Sequence, residues 1–277
     1  MTTEAHGDGR IGTLGLIQRI GLFVLIGWLG LLVFAILSRS LDVDVLISSA
    51  FSSFCAAAVA NATLARIYER GRLADFGLGW ERESGRELLV GVGMGAWGGV
   101  LVMGIPLLSG IAHLEPVPSV PAHRVAALGL VLVALLFGAS GEEMLFHGYG
   151  FQVLARALGP FATILPVAVV FGMAHVGNQH STLLGVFNTF AWGVLLGYAR
   201  WRSGALWLPI GLHFGWNATM PLFGANLSGF TIGVTGYALH WSIGPLWSGG
   251  EYGPEGGLET TIVVAALMWV VTRTGRR

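Results

Sequence analysis

The chain has 277 residues, of which 54% are hydrophobic and only 11% are charged. A soluble domain carries about 25% charged residues, so this composition excludes an ordinary soluble protein and indicates a polytopic membrane protein. The formal net charge is zero and no basic block could follow a phosphate backbone, which excludes nucleic acid as a partner. The single cysteine, Cys55, excludes an intrachain disulfide and a multi-cysteine metal site.

Eight apolar segments are candidates for membrane-spanning helices, which need about 20 mostly apolar residues. In chain order they cover residues 17–37, 44–65, 88–109, 125–141 with a continuation to about 157, 160–178, 182–199, 204–223 and 259–272. These segments predict an all-α, polytopic membrane protein with about eight transmembrane helices, which forms a single membrane domain over residues 1–277.

Arginine placement predicts the orientation of these helices. If the N-terminus is cytoplasmic, thirteen of the 15 arginines fall on the cytoplasmic side, and Arg39 and Arg124 fall on the outer side. This asymmetry is the one described by the positive-inside rule. We therefore expect a multi-pass protein of the cell (plasma) membrane with both termini cytoplasmic. We also expect a charged cytoplasmic loop at residues 66–87 and an outer glycine-rich loop at residues 224–258.

Ionisable side chains inside membrane spans are costly, so each is a candidate functional residue. The polar and ionisable residues that interrupt the apolar segments of the second half are Glu142, Glu143, His147, His175, His213 and Asn217. Glu142 and Glu143 are adjacent on a helix and point about 100° apart, so the two carboxylates cannot share one role. Glu143 and His147 are four residues apart and lie on one face.

Positions along the helices predict that these side chains meet. Counted from the arginine or proline that marks the inner end of each helix, Glu142, His175 and His213 lie about 16 to 22 Å along it, at a rise of about 1.5 Å per residue. Asn217 lies one turn beyond His213 and faces the same way. Polar groups at one depth in three helices predict a polar cavity near the middle of the bilayer.

Two kinds of hydrolysis fit such a cavity. In the first, Glu142 takes a proton from a water that attacks a peptide carbonyl, and His175 positions this water or carries the proton. His213 and Asn217 then donate hydrogen bonds to the developing oxyanion. In the second, Glu142, His175 and His213 bind zinc and leave a fourth position open. The sequence has no His-Glu-x-x-His motif, and no Ser-His-Asp pattern places a nucleophile.

Three short motifs carry a resemblance to a known family. They are Glu142-Glu143-Met144-Leu145-Phe146-His147-Gly148-Tyr149, Phe171-x-x-x-His175 and His213-x-x-x-Asn217. Their order and spacing over residues 125–220 resemble the CPBP family of intramembrane proteases, also called the type II CAAX prenyl protease or Abi family. The stretch from Gly244 to Gly256 is similar to one seen in bacterial members.

The resemblance implies an eight-helix fold with a catalytic core at residues 125–220 and an active site inside the membrane. It implies a glutamic endopeptidase in which Glu142 and His175 activate water. It implies that His213 and Asn217 form the oxyanion hole, with Glu143 as the remaining catalytic residue. This mechanism needs no cofactor; zinc is the alternative.

One position departs from the family pattern. The family has an arginine at the position of His147, where it would pair with the second glutamate, here Glu143. A neutral histidine donates a hydrogen bond instead of a fixed charge. We therefore treat His147, together with Phe171 of the second motif, as a supporting residue. Activity that depends on pH, altered activity and lost activity are all compatible with the replacement.

Other classes of function fit the same composition. A non-catalytic membrane protein of this fold could serve as an immunity, chaperone or transport factor. A proton-coupled transporter would be expected to have discontinuous helices and related half-repeats, and the sequence contains neither. We expect a protease whose partners are a peptide or membrane-protein substrate and the lipid bilayer.

Overall fold

The architecture is given by a computed structural model, which describes residues 11–117 and 124–273, without the side chains of Arg124 and Val125. The two predicted cytoplasmic termini lie outside the described residues. The helices are α1 Thr13–Ser40, α2 Val45–Glu69, α3 Ser84–Leu108, α4 Arg124–His147, α5 Tyr149–Leu158, α6 Pro160–Ala174, α7 Leu183–Ser203, α8 Trp207–Leu222, α9 Pro245–Ser248 and α10 Leu258–Arg273. Two strands are present, β1 Ala112–Pro116 and β2 Tyr237–Trp241, and 3-10 helices cover Leu73–Phe76, Gly250–Tyr252 and Pro254–Gly256.

The all-α membrane fold is confirmed, since every predicted apolar segment coincides with a helix. By length and composition, four stretches of the described chain can cross a membrane: Thr13–Ser40, Val45–Glu69, Ser84–Leu108 and, with α4 and α5 taken together, Ala126–Leu158. α6 is a shorter apolar helix. The remaining predicted spans also form helices, but their length and composition alone do not mark them as helices that can cross a membrane.

The connecting segments contain more structure than predicted. The loop predicted at 66–87 is shorter, because α2 continues to Glu69 and α3 begins at Ser84, with a 3-10 helix between them. The loop predicted at 224–258 is not a plain loop, since it contains β2, α9 and two 3-10 helices. β2 pairs antiparallel with β1. Pairing between segments so far apart in sequence follows no local hydrophobic period, so composition alone predicted a loop.

The connecting segments gather at two ends of the helix bundle. At one end lie β1, β2 and an ion pair between His180 and Glu251, whose Nδ1 and Oε2 atoms are 2.9 Å apart. At the other end the backbone N–H of Leu206 donates to the carbonyl of Gly77. We call these the sheet end and the arginine end, because most arginines are predicted at the second. The placement of the connecting segments at two ends agrees with helices that cross the bilayer in alternating directions.

Close packing of α3 on α8 fixes the helix that carries His213. Gly91 and Gly95 on α3 face Gly211 and Gly215 on α8, and a Cβ at any of these glycines would lie within 2.4 Å of a backbone oxygen of the other helix. Small residues spaced four apart allow such close approach of membrane helices. Neither helix can rotate or slide without a clash of backbones, so the depth and direction of His213 are set.

Candidate active site

The helix that carries both glutamates is interrupted directly after His147. α4 ends there and α5 begins at Tyr149, so the predicted continuation to about 157 is present, as far as Leu158, but as a second helix. The side chain of Asn61 on α2 holds the interruption, because its Nδ2 donates to the Met144 carbonyl at 3.0 Å and its Oδ1 accepts from the Tyr149 N–H at 2.7 Å. Backbone groups freed by the break are thereby satisfied inside the protein.

Glu142 and Glu143 point in different directions, as adjacent helical positions require. The Glu143 carboxylate is fully buried. One of its oxygens lies 2.7 Å from Nδ1 of His147, and the other lies 2.8 Å from Nδ1 of His213. Glu143 therefore joins two histidines from different helices. Glu142 instead faces a cavity.

The Glu142 carboxylate faces the imidazoles of His175 and His213. Its Oε2 lies 3.7 Å from Nε2 of His175 and 3.9 Å from Nε2 of His213. Within the described residues this oxygen is buried and accepts no hydrogen bond. The separations are longer than direct hydrogen bonds, which is the situation in which a water commonly lies between polar groups.

His175 is positioned by the end of its helix. The span predicted at 160–178 ends earlier, at Ala174, and His175 is the residue that caps α6. Its Nδ1 lies 2.8 Å from the carbonyl oxygen of Phe171. A carbonyl can only accept, so Nδ1 carries the proton and Nε2 of the neutral ring, the atom nearest Glu142, is an acceptor.

These groups meet in a cavity of about 550 Å³. Four predicted catalytic residues line it: Glu142, His175, His213 and Asn217. Phe171 also lines it, with its ring 4.9 Å from His175. The two other predicted residues, Glu143 and His147, lie behind Glu142 and are fully buried. The cavity thus collects the side chains of all three motifs.

The match to a family model covers the same helices. Residues 124–219 match the model described as Type II CAAX prenyl endopeptidase Rce1-like. This segment of 96 residues is about a third of the chain, and we call it the Rce1-like core. The recognition of the CPBP family from its three motifs is therefore confirmed, and peptidase activity in a membrane protein is supported in general terms. No curated protein is similar enough to the chain to count as a match.

His147 stands in the Rce1-like core where the family pattern has arginine. Its ring lies between those of Phe151 and Phe171, with centroid distances of 5.6 and 6.3 Å. Nδ1 is engaged with Glu143, and Nε2 is buried without a hydrogen-bond partner among the described residues. This nitrogen faces Gly197 on α7, where a Cβ would lie 3.4 Å away.

Two buried polar residues support the core from other helices, and sequence reasoning missed both. Asn61 is one of them. The other is Arg200 on α7, whose Nε donates to the His147 carbonyl at 3.1 Å and whose Nη2 donates to Oε1 of Gln152 at 2.8 Å. From the sequence alone, Arg200 is only a marker of the cytoplasmic side. Its burial depends on the break after α4, which no local pattern revealed.

Glu255 is a third residue that was missed, and it joins the outer segment to the cavity wall. Its Oε1 accepts from Nε1 of Trp216 at 2.9 Å. Its Oε2 accepts from the backbone N–H and the hydroxyl of Ser228, at 2.6 and 2.7 Å. Asn188 on α7 donates to its carbonyl at 2.8 Å. Glu255 is 9% exposed and lines the cavity with Ser228 and Asn188. The only signal in the sequence was the resemblance of the stretch that contains it.

The electrostatics of this outer segment are set by burial. Burial, with a smaller contribution from the Glu255 carboxylate, raises the pKa of Tyr252 to about 12. Tyr252 is therefore a neutral side chain at physiological pH. Glu142 and Glu255 are the carboxylates that line the cavity, and none of the described lining residues is an arginine.

The zinc alternative can be tested against the positions of its three ligands. Nδ1 of both His175 and His213 is hydrogen bonded, which turns each Nε2 toward Glu142, as outer-shell contacts do in zinc sites. Within the described part of the chain, however, no three His, Cys, Asp or Glu side chains are grouped so that they could hold a metal ion. Zinc therefore stays the alternative prediction, and no step proposed below uses a metal.

Proposed function

We propose that this protein is an intramembrane endopeptidase that hydrolyses peptide bonds with a water activated by Glu142. The single observation that carries the proposal is the position of the Glu142 carboxylate. It opens into a cavity inside an Rce1-like core and faces the Nε2 atoms of His175 and His213. A carboxylate in a largely apolar cavity is a suitable general base, since few waters compete for its lone pairs.

The first step uses two acceptors on one water. Glu142 Oε2 and the unprotonated Nε2 of His175 are 3.7 Å apart, so a water beside them can donate one hydrogen to each. Its oxygen lone pairs are then free to attack a carbonyl carbon. As the C–O bond forms, one proton passes to Glu142 and a tetrahedral oxyanion results.

The oxyanion requires hydrogen-bond donors. Whether His213 can be such a donor depends on which of its ring nitrogens carries a proton. Nδ1 of His213 donates to ionised Glu143, so a neutral ring has no proton on Nε2. His213 therefore acts as a donor only as an imidazolium, and Glu143 is the carboxylate that balances its charge. The Asn217 amide, one turn further on α8, is the second donor that we propose.

Collapse of the intermediate completes the reaction. The proton held by Glu142 passes to the nitrogen of the scissile bond as the C–N bond breaks, which releases a neutral amine. The new carboxylic acid gives its proton to Nε2 of His175. As the products leave, His175 passes this proton to the amine, which departs as an ammonium ion. Both protons of the water are then on the amine, and Glu142 and His175 return to their starting states.

Charge in the cavity favours an internal bond over one at a C-terminus. A terminal carboxylate near the scissile bond would lie among Glu142 and Glu255 and would find no arginine among the described lining residues. Like charges in a cavity of low polarity repel strongly. We therefore propose an endopeptidase.

From the arginine placement in the sequence, we also propose that this endopeptidase lies in the plasma membrane with both termini in the cytoplasm.

The test is cleavage of a peptide library by the purified protein in detergent. Glu142→Gln keeps the size of the side chain and removes the base, so cleavage should fall at least about 100-fold while the protein elutes and melts like the wild type. Glu251→Gln is the matched control, because Glu251 is an exposed carboxylate outside the cavity. Equal cleavage by Glu142→Gln and the wild type would overturn the proposal, as would the absence of cleavage by both. In the second case a non-catalytic role would be favoured.

A further inference from the structure

The cavity is built from one end of the helix bundle. Its lining residues on α1 and α2, which include Leu31, Ala35, Val45 and Ser49, lie where α1 ends and α2 begins. The outer segment adds Ser228, Phe230 and Ile232. All of these positions are near the sheet end.

The opposite end of the cavity is closed. Behind Glu142 lie Glu143, His147 and Tyr149, each with an exposed fraction of 0%. Arg200 closes the space further through its hydrogen bond to the His147 carbonyl. None of the described lining residues comes from the segments that meet at the arginine end, 69–83, 149–158 and 203–207.

The exposed positions of the lining mark the entrance. Val45 is 67% exposed, and Ala35, Ser49 and Ala174 are also exposed. α1 packs on α2, and α6 packs on α7. The entrance therefore lies between these two pairs of helices, at the sheet end.

Arginine placement relates this entrance to a side of the membrane. Ten of the twelve arginines in the described part of the chain lie at the arginine end, which the positive-inside rule assigns to the cytoplasm. The other two, Arg39 and Arg124, lie at the sheet end. The entrance and the arginines are thus on opposite sides.

We infer that the cavity receives its substrate from the extracytoplasmic side, so the substrate is an extracytoplasmic polypeptide segment with apolar side chains next to the scissile bond. The identity of this substrate rests on the proposed peptidase function, whereas the side of the entrance does not. Leu31, Val45 and Ile232 provide the apolar surface against which such side chains would pack.

The side of the entrance can be measured by labelling single cysteines. Cys55→Ala removes the chain's one cysteine, and Ser49→Cys then places a thiol at the entrance. Arg82→Cys is the matched control, an exposed position at the arginine end. With a membrane-impermeant maleimide, the thiol at position 49 should react in right-side-out vesicles, and the thiol at position 82 only in inverted ones. The reverse pattern, or no reaction at position 49 from either side, would overturn the inference.

Substrate access is tested with the same variants in proteoliposomes of mixed orientation. A peptide that cannot cross the bilayer is added outside after external maleimide treatment. Cleavage should be lost for the position 49 thiol and retained for the position 82 thiol, because only molecules with the sheet end outward reach the peptide. If maleimide treatment abolished cleavage only for the variant with the thiol at position 82, the inference would be overturned. Absence of cleavage before any treatment would refute the peptidase function and leave the labelling result standing.

Discussion

Glu143 and His213 are joined by a hydrogen bond between α4 and α8, with Oε1 and Nδ1 2.8 Å apart. The second carboxylate oxygen of Glu143 holds His147 in the same way. A buried carboxylate whose two oxygens are both engaged has no lone pair directed at a substrate. We therefore propose that Glu143 positions the two histidines and that Glu142, which opens into the cavity, acts as the base.

The proposed mechanism depends on two protonation states. It therefore predicts a bell-shaped profile of kcat/KM against pH. Glu142 must be ionised to accept a proton, and His213 must be protonated to donate to the oxyanion. Glu143→Gln removes the charge that balances the imidazolium. Its kcat/KM should fall about 10- to 100-fold, the size of one charge-assisted hydrogen bond, and its alkaline limb should move to lower pH. Profiles of kcat/KM against pH for the two proteins check this. A variant that loses activity with an unmoved alkaline limb would show that Glu143 acts only on folding.

The contacts of Glu255 predict a role in holding the cavity wall. Glu255→Gln keeps one oxygen acceptor but cannot accept from both Trp216 and Ser228. Because the outer segment then loosens, we expect KM to rise about tenfold with a smaller change in kcat. Glu251→Gln, on the same segment, is the control and should change neither value. Steady-state kinetics give kcat and KM for both variants. Equal KM values for Glu255→Gln and Glu251→Gln would refute this role.

The break between α4 and α5 predicts a large effect of one asparagine on stability. Asn61→Ala leaves the Met144 carbonyl and the Tyr149 N–H buried without partners. We expect the free energy of unfolding to fall by about 2 to 4 kcal/mol. Ile67→Ala, an exposed position on the same helix, should have little effect. Unfolding titrations with sodium dodecyl sulfate in mixed micelles compare the two, and similar losses would mean that Asn61 does not hold the break.

Treatment with a chelator separates the two hydrolytic mechanisms. The proposed mechanism uses no metal, so EDTA or 1,10-phenanthroline should leave the cleavage rate within a factor of two of the untreated protein. A fall in rate that added zinc reverses would establish the metal alternative, with Glu142, His175 and His213 as the ligands to be tested. Metal content of the purified protein, measured by mass spectrometry, provides an independent readout.

Much of the helix content and the convergence of the motifs could be predicted from the sequence, because both depend on local patterns. Apolar runs located every helix except α9, with α4 and α5 as one run, and the four-residue spacing placed Glu143 beside His147. The three motifs brought together Glu142, His175 and His213 because interior polar groups in membrane helices require partners.

The missed features depend on contacts between distant residues. The break after His147 is held by Asn61, 83 residues before the Met144 carbonyl that it bonds, and an asparagine in an apolar helix gives no sign of its partner. Likewise, Glu255 reaches Trp216 from a segment that composition predicted to be a loop. Backbone groups that need partners can find them anywhere in the fold, so a single sequence does not reveal which ones they choose.

The proposed mechanism requires a water between Glu142 and His175 inside the Rce1-like core. A high-resolution experimental structure of the wild-type protein in lipid nanodiscs measures this directly. We predict density for a water within hydrogen-bond distance of both Oε2 of Glu142 and Nε2 of His175. Apolar side chains filling that space would contradict the account, and so would a metal ion about 2.0 to 2.2 Å from the two side chains.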